Sequence, residues 1–282
     1  MRKSLVAGQF YEDDEEKLKQ EIEKSFTDGP SLPSSERNKK FIAGIAPHAG
    51  YLFSGKCASY LYKEIAESQI PDVYVILGTD HRHNDNKVRI SIEDWETPLG
   101  IVKTDKELGQ SLLTREIIID ENAHKQEHSI EVQLPFLQYI NQDKKFKILP
   151  IILNTADIEL CKRLARRLLE PRMRKLAFIA SSDFTHYGVN YGFIPFTKNI
   201  RENMIKLDRK FIDYILKLNS EEFMDKVVKT GTTICGISAI TTIVELAKQM
   251  QCKPRLLNYS TSGEISNDYN HCVGYASILF EK

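Results

Sequence analysis

From Phe41 onward, short apolar runs rich in β-branched and aromatic residues alternate with longer stretches whose apolar residues recur at helical spacing. This alternation restricts the fold more than any other feature of the chain. The runs are 41–46, 73–77, 88–92, 146–153, 176–181 and 274–280, and each reads as a strand. Between them Leu61 and Ile65, then Ile130, Leu134 and Leu137, then Leu160, Leu164 and Leu168, then Ile240, Val244 and Ala247 each line one face of a helix. The pattern predicts one α/β domain over residues 1–282, a central mixed β-sheet flanked by helices. Pro150, inside the fourth run, predicts an edge strand or a bulge there, because proline donates no ladder hydrogen bond. Pro135 has to sit in the first turn of its helix or kink it. Ahead of this core, Leu18, Ile22 and Phe26 make one apolar stripe on a solvated helix over 13–26, and residues 27–40, with Gly29, Pro30, Pro33 and several serines, predict an exposed loop.

Charge narrows the function classes. The chain balances 39 Lys and Arg against 39 Asp and Glu, spread along its length, whereas a protein built to grip a nucleic-acid backbone carries a clustered positive excess. No stretch of 18 apolar residues is present, so no membrane partner is expected. Cys57, Cys161, Cys235, Cys252 and Cys272 are odd in number, scattered and free of any Cys-x-x-Cys pair. That usage predicts a reducing, cytoplasmic setting without structural disulfides.

The histidines fall where α/β sheets bind ligands. APHAGY places His48 after the run 41–46, LGTDHRHN places His81 and His83 after 73–77, and SSDFTHYG places Asp183 and His186 after 176–181. Ligands of open α/β sheets bind beyond the carboxyl ends of strands, so three loops from distant segments are expected to converge on one pocket. In TTICGIS, Cys235 precedes Gly236 and an apolar helix, a position that favours a thiolate. In QEHSIEVQLPF, Glu127, His128 and Glu131 cluster at a helix start that Ser129 is placed to cap. His124 is expected at the surface, and Cys57, Cys161 and Cys252 as small buried hydrophobes. Two imidazoles and one anionic ligand with open positions make a facial metal site, and a sulfur ligand shifts its preference toward iron, copper(I) or zinc. Ser181, Ser182, Asp183 and His186 do not read as a hydrolase triad, because they share one short loop without a G-x-S-x-G elbow.

The ordered set APHAGY (46–51), LGTDH (77–81), EHSIEVQLPF (127–136), SSDFTHYG (181–188) and TICG (233–236) resembles the Memo family, the B component of the AmmeMemoRadiSam system. The likeness runs from AGQFY (7–11) to GYAS (274–277). It implies a fold similar to class III extradiol dioxygenases and a non-haem metal site on His48, His81 and Cys235, with Cys235 standing where those dioxygenases have a glutamate. It implies iron(II) or copper(I) as the metal, with zinc compatible, and an acid–base pair of His186 and Asp183. Glu127, His128, Tyr51 and His83 are expected beside the ligands or the substrate. Thr79-Asp80 departs from the proline-serine or similar pair expected ahead of His81. The implied activity is that of a non-haem iron or copper oxidoreductase acting on a small-molecule or peptide ligand, with partner proteins of a radical-SAM system. The alternative is a non-catalytic binding module that uses the same pocket for a peptide or small anion.

Overall fold

A computed structural model of the protein describes residues 1–142, 144–170 and 174–282. In chain order the elements are α1 (Glu15–Thr27), β1 (Ala43–Ala46), α2 (Tyr51–Ala66), β2 (Val73–Thr79), β3 (Val88–Ile90), β4 (Trp95–Thr97), β5 (Gly100–Thr104), α3 (Lys106–Ser111), β6 (Ile117–Ile119) and α4 (Glu121–Lys125). There follow α5 (Leu134–Asn141), β7 (Lys147–Leu153), α6 (Ile158–Leu169), β8 (Leu176–Ser181), β9 (His186–Tyr187), α7 (Ile200–Leu216), α8 (Ser220–Thr230), α9 (Ile237–Gln249), β10 (Lys253–Thr261), α10 (Gly263–Ser266) and β11 (Cys272–Glu281). Among the described residues no helix is long and apolar enough to cross a membrane, and all five cysteines are free thiols.

The strands form one mixed sheet in the order β10-β11-β1-β8-β2-β7-β3-β6. Its centre, β1-β8-β2-β7, is parallel, while β11 runs antiparallel to β1 and β3 antiparallel to β7. Strand β2 shows why helices must cover both faces. Val73, Val75 and Leu77 join one core with residues of α6, α7, α8 and α9, while Tyr74 and Ile76 join a second with residues of α1, α2 and α5. Alternating side chains bury both faces, as a parallel interior requires.

Pro135 lies in the first turn of α5, one of the two expected positions. Pro150 corrects the other expectation, for β7 lies inside the sheet with β2 along its whole length. On its far side β7 pairs first with β5, at Lys147 and Ile148, and then with β3, from Ile151. Pro150 sits at the handover between these two short neighbours, where its carbonyl accepts from Ser91 N and its missing N–H interrupts no continuous ladder.

Elements without a singled-out sequence pattern are the β4–β5 hairpin, β6, the edge strand β10, the short helices α3, α4 and α10, and helices α7 and α8. β10 is only half buried along most of its length, so it lacks a clean apolar alternation. The buried stripe of α7 is interrupted by Asp208, a fully buried carboxylate.

Candidate metal centre

Parallel neighbours deliver the candidate residues to one place. β1 and β8 pair through Ala46 and Ser181, so the loops that follow them leave the sheet side by side. There the His48 N–H donates to Asp183 Oδ1 at 2.8 Å. The His48 ring lies between Ser181 Oγ, 3.1 Å from Nδ1, and Cys235 Sγ, 3.1 Å from Nε2. Ser181 fixes the tautomer. Its hydroxyl donates to Ser129 O at 2.6 Å and accepts from Gln133 Nε2 at 2.7 Å, so the one remaining lone pair requires His48 Nδ1 to carry a hydrogen. Nε2 is thereby the nitrogen presented to the sulfur.

His81 is held by a different group with the same result. The Glu127 carboxylate, 2% exposed, accepts from the His81 N–H at 3.0 Å and from Nδ1 at 2.9 Å, and also from Ser129 N at 2.7 Å. Asp80, where the sequence departs from the expected pair, shapes this loop. Its carboxylate accepts from Arg82 N, His83 N and His83 Nδ1 and pairs with Arg89 at 3.2 Å. Ser129 does not cap a helix, correcting that expectation; its hydroxyl is spent between Thr79 N and Thr79 O, tying the β2 end to the 127–131 turn.

Cys235 precedes α9, and Gly236 brings it close. A Cβ on Gly236 would meet the Ser182 Cβ at 2.4 Å, so only glycine lets its N–H reach Ser182 Oγ at 2.9 Å. The sulfur also accepts from Asp183 N at 3.2 Å. One ligand atom each from His48, His81 and Cys235 lies within 4.8 Å of the others, and the same holds for His81, Glu127 and His128. The His128 ring stacks on His81 with centroids 5.0 Å apart and meets His48 edge-on at 5.4 Å.

Charge follows from these contacts. Burial would raise the Cys235 thiol, but the positive charge of His48 and hydrogen bonds with His48 and His81 outweigh it and hold the group well below the thiol range. Burial opposes charge on His48 too, yet attraction to Cys235 and Asp183 lifts it to about 9. His81 is lifted against burial to about 10 by hydrogen bonds to Cys235 and Glu127. Glu127 is held below its usual value, against burial, by its bond and charge pairing with His81. His128 falls to about 4, through burial and repulsion from His48. The cluster is a thiolate among cationic imidazoles with one neutral imidazole beside them.

Asp183 Oδ2 lies 4.0 Å from both His48 Nε2 and His186 Nε2. His186, on β9, has Nδ1 3.0 Å from Phe184 O and 2.9 Å from Thr233 O. Two carbonyls there require an N–H at Nδ1, and Nε2 is the nitrogen that faces Asp183. Two further expected pocket residues have partners of their own. The Tyr51 hydroxyl donates to Val132 O while its ring packs on Tyr11 and Phe136, and the half-exposed His83 is bound to Asp80. His124, expected at the surface, is fully buried, with Nε2 3.0 Å from Arg89 O and its ring edge-on to Trp95. The sequence pattern did not single out Gln133, which fixes Ser181; its signal is a polar residue inside the apolar run of EVQLPF.

The chain matches the family model described as Memo-like protein over residues 2–279. A MEMO1 family protein of Pyrococcus furiosus is 39% identical over 294 residues, covering 100% of this chain and 99% of its own. Another, of Methanosarcina barkeri, is 38% identical over 285 residues and 100% of both chains. Among solved structures, the crystal structure of an uncharacterized protein from Escherichia coli K12 is similar with a TM-score of 0.50 at 11% identity, covering 85% of this chain and 100% of that one. At that identity the likeness is one of fold.

Proposed function

The chain belongs to the Memo-like protein family, and from that premise we propose that it is a non-haem metal oxidoreductase whose His48, His81 and Cys235 hold iron(II) or copper(I), with zinc fitting the same donors. The observation that carries this reading is the triad itself. Three donor atoms lie within 4.8 Å of one another, and the second nitrogen of each imidazole is committed, His48 to Ser181 and His81 to Glu127. Metal-ligating histidines are held in this way by outer partners that fix tautomer and ring orientation. A thiolate with two imidazoles suits iron, copper(I) and zinc and disfavours magnesium and calcium. Three protein donors leave positions open, and the bound metal supplies redox and Lewis-acid chemistry at the substrate.

The remaining residues handle protons and access. His186 Nε2 accepts or returns a proton, Nδ1 being fixed as a donor by Phe184 and Thr233. Asp183, within 4.0 Å of His186 and His48, stabilises the charged imidazole. His128 adds a neutral imidazole wall beside His81. A reducing cytoplasm suits the exposed chemistry of such a thiolate.

Anaerobic titration of the reduced protein with Fe(II) and with Cu(I) tests the proposal. Saturable one-to-one binding, lost in Cys235→Ala and in His81→Ala, is expected. Absence of specific binding to the wild type overturns the metal reading and leaves the pocket as a recognition site for a peptide or small anion. Dioxygen uptake against a panel of aromatic diols then separates turnover from storage, with His186→Ala expected to keep the metal and lose the uptake.

A further inference from the structure

We propose that Arg2 is a positioning residue of this site, which acts through Glu127 to aim the His81 imidazole. The proposal rests on the metal-site reading above for its functional meaning, though not for its structural test. The Arg2 side chain is 1% exposed, an expensive place for a guanidinium unless its donors are matched. They are matched to the turn that carries Glu127. Nε donates to His124 O at 2.7 Å, Nη2 to Glu127 O at 2.5 Å, and Nη1 to the Glu131 carboxylate at 2.6 Å. The guanidinium also stacks over the Trp95 ring, 4.0 Å from its centroid.

One planar group thus grips the backbone before and at the residue whose carboxylate holds His81, and a side-chain carboxylate after it. Glu131, fully buried, returns the grip. Its carboxylate also accepts from Leu5 N, Val6 N and the Tyr11 hydroxyl, closing the first eleven residues over the turn. The same segment reaches the other side of the site. Phe10 meets the His128 ring edge-on at 4.9 Å, and Phe10 O accepts from Tyr51 N, where α2 begins just after His48. Because the Glu127 carbonyl is fixed by Arg2 while its carboxylate faces His81, the direction of the His81 Nδ1–H bond depends on a residue that itself touches no ligand atom.

The test compares Arg2→Lys, which keeps the charge but lacks the fork, and the double variant Arg2→Met/Glu131→Met, which removes the buried pair together. Glu127→Gln serves as a reference. The first readout is NMR of the imidazole nitrogens in the metal-free protein. Loss of the protected His81 Nδ1–H signal in both variants, with the His48 Nδ1–H signal on Ser181 unchanged, is expected. The second is Cu(I) affinity by competition with a chromophoric chelator, expected to fall about 10–100-fold, as for loss of an outer partner. Folded variants that keep the His81 signal overturn the proposal. A wild type that binds no Cu(I) overturns the metal reading and leaves the NMR result to decide the positioning role. If Arg2→Lys fails to fold cooperatively, the double variant carries the comparison.

Discussion

His48 and His124 are both fully buried, and the protein treats their imidazoles in opposite ways. Burial by itself disfavours the cation in each. Around His48 the Cys235 thiolate and the Asp183 carboxylate overcome that penalty and raise its pKa to about 9. Around His124 there is a carbonyl of Arg89, the edge of Trp95 and the charge of Arg2, and burial prevails, taking it down to about 4. Depth therefore does not distinguish a charged histidine from a neutral one. The sign of the groups on the far side of the ring does, and those groups come from remote parts of the chain.

The strongest way to break the contrast is Cys235→Ala. It removes the anion that charges His48, so the His48 pKa, followed by NMR titration, is expected to fall below the ordinary histidine value. Metal affinity is expected to drop by more than the about 10–100-fold that loss of an outer partner costs. Replacing His124 by Phe probes the other side. The unfolded chain protonates this histidine near 6.5 and the native protein only near 4, so the unfolded state binds more protons in between and native stability falls as pH drops through that window. Urea unfolding across it should show the wild type losing about 3 kcal/mol relative to His124→Phe. Glu127→Gln keeps the size of the His81 partner and removes its charge. Cu(I) affinity is expected to fall about 10–100-fold, and the His81 pKa to move down. Ser181→Ala is the mildest, since a neutral hydroxyl is lost from His48 Nδ1. An affinity loss near about tenfold is expected, at the lower end of that range, and an effect larger than that of Glu127→Gln would reverse the ranking of charged over neutral partners.

The sheet interior and its covering helices were legible because β2, β7, β8 and β11 are apolar on both faces and α6 and α9 carry unbroken stripes. The three converging loops were legible because strand ends are the natural seats for ligands. The clustering of Glu131 with Glu127 and His128 was legible too, but the burial of Glu131 and of Arg2 was not, since a lone charged residue at a helix start or near the beginning of a chain ordinarily faces water, and only the pairing of the two makes their burial tolerable. His124 was misplaced for the same reason. Its seat is made by Arg89 and Trp95, on β3 and β4, and nothing in its immediate neighbours in sequence announces them. Pro150 was misjudged because the rule about edges concerns continuous partners, and here two short strands divide one side of β7 between them.

The place of β8 in the sheet has a kinetic meaning. It enters between β1 and β2, the strands that carry His48 and His81, and holds them two strand spacings apart, about 10 Å. Cys235 joins His48 from 187 residues farther along the chain. Long-range pairings of this kind close late in folding. A partly folded chain thus lacks the proposed three-donor set, which is complete only when β1, β8 and β2 are paired. Ion capture at this triad would then report that the sheet has closed.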